Sequence, residues 1–248
     1  MIYILAGFLG FVAGMLVNYL ADVLPVERRL AQPVCAVCGA HFAWKDYLLL
    51  SACRACSAQR SWRTSLCLVG GVGISLLLWL SPPARLGYGF GLVLAMFFGL
   101  VSVIDMEHRL ILWPVSLAGA VLGLICGVLR SDLFSALLGG AVGFAVMLIL
   151  YRVGSLFMKK QAPRLGINPK EEALGFGDVT ISGVLGLMLG FPLVLRGLFA
   201  GMLLAGLFSL LFLLSLALRK KFQPDALGRS IPYGPFLVLG AVAYIFLR

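Results

Sequence analysis

Residues 175–190 read GFGDVTISGVLGLMLG, in which a glycine-rich turn and an aspartate precede a long apolar segment. The apolar segment continues to Val194 and predicts a helix that crosses a membrane. An ionisable carboxylate at the end of such a helix is energetically costly, so Asp178 is a candidate functional residue. Gly175 and Gly177 permit a tight turn and a close approach of the backbone to a substrate. The simpler alternative is that Asp178 only caps the N-terminus of the helix.

The composition places this helix in a polytopic membrane protein. Hydrophobic residues make up 61% of the 248 positions and charged residues only 12%, which excludes an ordinary soluble domain. We predict an all-α fold of about eight membrane-spanning helices, surrounded by membrane lipids. Their approximate positions are 2–24, 66–82, 88–105, 112–129, 134–154, 177–193, 197–218 and 232–247. The formal net charge is +10, but the basic residues lie in short loops between apolar segments, so no nucleic acid partner is predicted.

The basic residues also predict the orientation in the membrane. If the loops after odd-numbered spans are cytoplasmic, sixteen of the twenty Lys and Arg residues lie on the cytoplasmic side. Such a bias is typical of membrane proteins, and it places both termini outside the cytoplasm. In this topology Asp105 lies at the inner end of the third span and Asp178 at the inner end of the sixth. The two carboxylates are therefore expected at the same membrane face.

A hydrophilic insert at residues 26–65 carries two C-x-x-C pairs, Cys35 with Cys38 and Cys53 with Cys56. Two such pairs at this separation indicate a tetrahedral zinc site made of four thiolates. The insert is expected in the reducing cytoplasm, so disulfide bonds are not predicted. A redox role is the alternative. The predicted domains are a first span (1–25), the zinc-binding insert (26–65) and a membrane-embedded bundle with about seven further spans (66–248).

Two carboxylates at one membrane face suggest acid–base catalysis. Carboxylates in contact share one proton, because ionising both is costly. The charged carboxylate can take a proton from water, while the protonated one donates a hydrogen bond to a peptide carbonyl. This is the chemistry of an aspartyl peptidase. Asp105 and Asp178 can instead be separate groups. A transporter or proton relay and a non-catalytic assembly scaffold are the other function classes.

The order of motifs resembles the prepilin peptidases of type IV pili and type II secretion, a family of intramembrane aspartyl proteases. Residues 175–178 match the family's Gly-x-Gly-Asp motif, and residues 105–109 (DMEHR) are similar to the segment with its first catalytic aspartate. The paired C-x-x-C insert is similar to the family's cytoplasmic zinc domain. Further matches are the N-terminal residues Gly14, Asn18, Leu24 and Pro25, and the last-span segment 231–236 (IPYGPF).

The resemblance implies that Asp105 and Asp178 are catalytic and that Gly175 and Gly177 support them. The implied substrate is a prepilin or pseudopilin, whose basic leader is removed at the cytoplasmic face of the bacterial inner membrane. Three acidic residues are candidates for attracting that leader, with solvated loop positions as the alternative. They are Glu107, Glu171 and Glu172.

Methylation of the new N-terminus with S-adenosylmethionine is a second activity of many family members. This sequence has Thr180 where the family usually has a lysine, and Leu68 where members commonly have a glutamate. These two departures leave methylation open, whereas the aspartate pair is intact. The sequence gives no indication of oligomeric state.

Overall fold

The computed structural model describes residues 2–35, 37–165, 175–218 and 232–246, which contain nine helices and no strand. The helices are α1 (Ile2–Glu27), α2 (Trp44–Leu48), α3 (Trp62–Leu80), α4 (Gly87–His108), α5 (Trp113–Arg130), α6 (Leu133–Leu165), α7 (Phe176–Leu189), α8 (Leu193–Leu218) and α9 (Gly234–Phe246). The predicted all-α fold is confirmed. The short helix α2 lies inside the insert, and each of the other eight overlaps one predicted span.

Six helices are long and apolar enough to cross a membrane, namely α1, α3, α4, α5, the part of α6 up to Phe157, and α8 up to Ser215. The protein is therefore a multi-pass membrane protein. The other two apolar helices are shorter, with 14 residues in α7 and 13 in α9. At 1.5 Å per residue, α7 is roughly 21 Å long, which is less than the hydrocarbon core of about 30 Å.

Several helix boundaries differ by four residues or more from the sequence-based prediction, among them the start of α3 and the end of α6. Helix α3 begins at Trp62 rather than at residue 66, because the Ser61 side chain caps it by accepting a hydrogen bond from the Arg63 N–H at 3.4 Å. Arg63 is therefore a helix residue. Helix α6 continues to Leu165, whereas the predicted span ended at residue 154. The segment 155–162 (SLFMKKQA) contains neither glycine nor proline, so nothing in it interrupts the helix.

The chain divides into two compact units at residue 108. In the first unit α1 packs against α3, and α4 contacts both. Helices α1 and α3 approach closely at glycines, since a Cβ atom built on Gly10 would lie 2.5 Å from the carbonyl oxygen of Gly71. The predicted domain boundaries at residues 25 and 65 stay a prediction.

In the second unit α7 is enclosed by its neighbours, because it contacts α5, α6, α8 and α9. Its apolar side chains, such as Ile181 and Leu185, are fully buried. Small residues let the helices approach, as in membrane bundles generally. A Cβ atom on Gly186 would lie 2.2 Å from the carbonyl oxygen of Gly139 in α6. This packing holds α7 from several sides and thereby fixes the helix whose first turn carries Asp178.

Candidate active site and metal centre

Asp178 lies in the first turn of α7 and is only 8% exposed. The N-cap is Gly175, so Asp178 is the third helical residue and does not itself cap the helix. Its Oδ2 atom accepts a hydrogen bond from the Gly175 N–H at 3.3 Å, which is the returning half of a capping box. A negative charge is favourable at this end of a helix. The local structure therefore fixes the carboxylate and accommodates its charge.

Gly177 is required for space rather than for an unusual backbone conformation. Neither glycine adopts a positive φ, and the φ of Gly175 is −76°. A Cβ atom on Gly177, however, would lie 2.8 Å from the Cβ atom of Ile111, whereas one on Gly175 would make only an ordinary contact at 3.6 Å. The close neighbour Ile111 could not have been found from the sequence.

Hydroxyl groups reinforce the first turns of α7. The Thr180 hydroxyl donates a hydrogen bond to the carbonyl of Gly177 at 2.8 Å and lies 3.4 Å from the Ser116 hydroxyl oxygen of α5. The Ser182 hydroxyl donates to the carbonyl of Asp178 at 2.7 Å. Thr180, which stands where the resembling family usually has a lysine, thus has a structural role in holding the start of α7.

Asp105 lies in the last turn of α4 and is 5% exposed. The preceding residue Ile104 is buried, and the following residue Met106 is exposed. The helix ends at His108, and Arg109 has the left-handed φ of 53°. Asp105 therefore lies where the buried part of α4 meets its exposed end. Burial of a charged carboxylate is costly unless it is compensated. The pairing of Asp105 with Asp178 stays a prediction.

The four predicted cysteines come together. The sulfur atoms of Cys35, Cys38, Cys53 and Cys56 all lie within 4.8 Å of one another. The Cys35–Cys56 and Cys38–Cys53 sulfur distances are both 3.7 Å, far longer than the ~2.05 Å of a disulfide bond. Four sulfurs at about 2.3 Å from a tetrahedral metal are roughly 3.8 Å apart, which agrees with these distances. The cluster can hold a metal ion.

The two cysteine turns have the same geometry. In the first, the Cys35 N–H bonds to the carbonyl of Ala40 and Gly39 has φ 71°; in the second, the Cys53 N–H bonds to the carbonyl of Ala58 and Ser57 has φ 56°. The spacing of the cysteines predicts both turns, and glycine at position 39 adopts the left-handed conformation without strain. The positive φ of Ser57 was not predictable, because serine rarely adopts it.

Hydrogen bonds from backbone amides favour the thiolate form of two cysteines in the cluster. Hydrogen bonds from the N–H groups of Cys38 and Val37 lower the pKa of Cys35 to about 6. The N–H groups of Cys56 and Ala55 likewise lower the pKa of Cys53. The Ala58 N–H acts to lower the pKa of Cys56. The hydrogen bond to Cys38 and burial outweigh this effect and raise the pKa of Cys56 to about 12. The turns thus stabilise thiolates at their first cysteines, and thiolates are the ligands that metals bind.

A polar network that the sequence did not predict lies in the first unit. The amide of Asn18 donates to the hydroxyl of Tyr47 at 2.8 Å, and that hydroxyl donates to Asp22 Oδ2 at 2.6 Å. Arg63 donates to Asp22, to Asn18 Oδ1 at 3.2 Å and to Glu107 Oε2 at 2.5 Å. Burial, together with the charge of Asp22, raises the pKa of Tyr47, so its hydroxyl stays protonated. The network joins α1, the cysteine insert, α3 and α4.

Two of the three acids predicted to attract a substrate lie outside the described residues, namely Glu171 and Glu172. The third, Glu107, is described and forms the ion pair with Arg63. Its role in substrate binding stays a prediction. Of the last-span motif 231–236, residue 231 is also outside the described residues, whereas residues 234–236 begin α9.

Comparison with known proteins shows similarity to one protein family. Residues 92–210, slightly less than half of the chain, match the type IV leader peptidase family. The match contains both Asp105 and Asp178, and it confirms the resemblance inferred from the motifs. The cysteine insert precedes the matched segment of the leader peptidase domain.

A curated relative extends the similarity beyond the leader peptidase domain. The chain is 26% identical over 226 residues to the prepilin leader peptidase/N-methyltransferase of Myxococcus xanthus (strain DK1622). The alignment covers 84% of this chain and 62% of the relative. The chain thus spans about three fifths of the length of that protein. No solved structure matches the chain.

Proposed function

We propose that the protein is an intramembrane aspartyl endopeptidase that removes the leaders of type IV prepilins or pseudopilins. Asp105 and Asp178 are its catalytic residues. The observation that carries the proposal is the burial of both carboxylates inside the segment that matches the leader peptidase family. Among the described residues only one other acid is equally buried, Asp46, and it is paired with Arg54 in the insert. A buried acid in a membrane protein is a functional residue by default.

The chemistry needs one charged and one protonated carboxylate. The charged one takes a proton from water as the water oxygen bonds to the peptide carbonyl carbon, and the protonated one stabilises the carbonyl oxygen. The intermediate collapses when the C–N bond breaks and the leaving nitrogen takes a proton from the dyad. No covalent enzyme intermediate forms. Asp105 and Asp178 together supply the base and the acid, and the hydrogen bond from the Gly175 N–H holds Asp178 Oδ2 in place.

The topology follows from the charge bias of the loops. Sixteen of twenty basic residues fall on one side, which we assign to the cytoplasm of a bacterium. Both termini are then outside, and the cysteine insert and the two aspartates are at the cytoplasmic face of the inner membrane. Cleavage occurs where the leader meets the apolar helix of the pilin.

The test is cleavage of a prepilin by the purified protein in lipid. Asp105→Asn and Asp178→Asn should each reduce cleavage by about 10²–10⁴-fold, the usual contribution of acid–base catalysis. Asp132→Asn is the matched control. Asp132 caps α6 by accepting a bond from the Ser135 N–H, and asparagine caps equally well, so cleavage should be unchanged. Full cleavage by either active-site variant would contradict the dyad.

The metal of the cysteine cluster is proposed to be zinc. Four thiolates in two tight turns form a closed tetrahedral shell, as in structural zinc sites. Such a metal supplies folding free energy to a small insert, whose buried core otherwise consists of few side chains, including Phe42 and Tyr47. All four ligand positions are filled by protein, so the metal does not take part in the cleavage.

N-methylation with S-adenosylmethionine is a second candidate function, favoured by a cavity in the first unit. The cavity has a volume of about 520 Å³ and is lined by apolar side chains such as Val34 and Phe42 and by the charged Asp22 and Arg60. The Nε atom of Arg60 is buried without a hydrogen-bond partner among the described residues. Arg60 would hold the cofactor's carboxylate, and Asp22 would face its cationic groups. When bound, the cofactor supplies an electrophilic methyl group.

The departure at Leu68 does not remove a group from this cavity. Leu68 is buried against α1, where a Cβ atom on Gly14 would lie 3.0 Å from its Cα atom. The test is equilibrium binding of S-adenosylmethionine to the purified protein. Arg60→Gln should weaken binding by about 10-fold or more, because a charge-assisted hydrogen bond is lost. Arg29→Gln, which changes an exposed arginine, should bind normally. Equal binding by both variants would contradict this site.

A further inference from the structure

We propose that Arg63 and Glu107 are positioning residues that hold the last turn of α4, and with it Asp105, in the geometry needed for cleavage. This inference rests on the proposed function, because it assigns Arg63 a part in the same reaction. Glu107 lies two residues after Asp105 in the last turn of α4. Its Oε2 atom is 2.5 Å from Nη1 of Arg63. A substitution of Arg63 should therefore disturb Asp105 without touching it.

Arg63, which binds Glu107, is itself held in place by other residues. Arg63 is 13% exposed in its side chain, and it also donates to Asp22 and to Asn18 Oδ1. Asn18 is fully buried, and its amide donates to Tyr47 of the insert. The guanidinium is thus bound on one side to α1 and on the other to α4. The ion pair of Arg63 with Asp22 is mostly shielded from solvent, so it is weakly screened and holds the guanidinium in place for the more exposed Glu107.

The last turn of α4 needs such an anchor on electrostatic grounds. The C-terminal end of a helix carries a partial negative charge, so a carboxylate there is unfavourable. Helix α4 places two carboxylates, Asp105 and Glu107, in its last turn. Arg63 adds a cation from another helix to this turn, which also contains His108, and so counteracts the unfavourable charge next to Asp105.

The network also explains how the insert and the catalytic segment are connected. Tyr47 belongs to the core of the cysteine insert, and its hydroxyl donates to Asp22, the other acid bound by Arg63. The path from the insert to α4 thus consists of hydrogen bonds between Tyr47, Asp22, Arg63 and Glu107. A metal bound to the cysteines of the insert would make the Tyr47 end of this path rigid.

The experiment compares kcat and KM of prepilin cleavage for variants with matched controls. Arg63→Gln should lower kcat by about 10-fold or more with KM changed less than about twofold, because a misplaced catalytic group slows the chemical step. Arg63→Lys, which keeps the charge but loses the planar fork, should recover part of kcat. Glu107→Gln should lower kcat less, since an amide still accepts one hydrogen bond. The controls Arg29→Gln and Glu27→Gln change a pair 3.9 Å apart in the same unit, an exposed arginine and a half-buried glutamate, and should leave kcat unchanged.

A second measurement does not depend on cleavage. Amide hydrogen exchange at residues 103–108 should be faster in Arg63→Gln than in wild type or Arg29→Gln, while exchange in α7 is unchanged. Unchanged kcat and unchanged exchange in Arg63→Gln would overturn the proposal, as would a rise in KM alone, which indicates contact with the leader. If wild type itself cleaves no prepilin, the proposed function fails, and the exchange measurement still decides the positioning role.

Discussion

The Cβ position of Gly177 lies 2.8 Å from the Cβ atom of Ile111, next to the buried carboxylate of Asp178. No L-amino acid other than glycine fits there unless the backbone moves. Gly175, two residues earlier, has space for a Cβ atom at an ordinary 3.6 Å contact. The two glycines of the motif thus differ in what they tolerate, although the sequence presents them as equivalent.

Gly177→Ala should impair cleavage strongly, by about 10²-fold, because the added methyl group displaces the first turn of α7. Gly175→Ala is the matched variant. It should retain most of the activity, since alanine at an N-cap costs only about 1 kcal/mol. Cleavage by the purified variants, measured at equal folded fraction, is the readout. Similar activities of the two variants would contradict the steric argument.

Gly186→Ala should destabilise the second unit by about 3 kcal/mol, or prevent its accumulation, because the new Cβ atom would lie 2.2 Å from the Gly139 carbonyl oxygen. Gly206→Ala in α8 is the control, since nothing lies within 4 Å of its added Cβ atom. That change should be neutral or stabilising by up to about 1 kcal/mol. Thermal unfolding in detergent measures both. A normal melting temperature for Gly186→Ala would show that α6 and α7 can separate without cost.

The purified protein should contain about one metal ion per chain, and zinc should account for it. Cys53→Ser should lose the ion, because one of four thiolate ligands is removed. Cys67→Ser should keep it, since Cys67 lies in α3 and outside the cysteine cluster. Elemental analysis of protein purified under reducing conditions gives the answer. A metal-free wild-type protein with an intact fold would rule out the site.

Tyr47→Phe should destabilise the first unit by about 1–3 kcal/mol, because it removes the shorter of the two hydrogen bonds that the buried Asn18 amide donates and also the bond from the Tyr47 hydroxyl to Asp22. Tyr3→Phe, at an exposed position, should have no effect. Unfolding monitored by amide exchange in α1 and α3 distinguishes the two variants. If the two variants were equally stable, the hydrogen bonds among Asn18, Tyr47 and Asp22 would contribute nothing to the free energy of unfolding beyond the burial of these groups.

Apolar segments, separated by glycines and prolines, predicted the number and order of the eight apolar helices. Each predicted span contains one helix, because a segment of that hydropathy has few alternatives to a helix in a membrane. The ends were less predictable. Helix α6 continues beyond residue 155 to Leu165, since the segment 155–162 contains no glycine or proline, and α3 starts early because Ser61 caps it.

The candidate site was predictable in those parts that depend on residues close together in the sequence. The spacing of the four cysteines determines the two turns that bring them together, and the order of the motifs predicts both aspartates as catalytic candidates inside the segment that matches the family. Ile111 and the Arg63 network were not predictable. The partners of Arg63 lie 41 to 45 residues away in the chain, namely Asn18 and Asp22 on α1 and Glu107 on α4.

The sequence by itself determined that this chain is a helical membrane protein with a four-cysteine cluster and two aspartates at helix ends. Hydropathy, residue spacing and motif order carry that information without reference to distant residues. Only the tertiary structure decided why Gly177 admits no side chain and how Glu107 is anchored by Arg63. Those contacts join residues far apart in the chain, and their energies depend on distances that packing between helices sets.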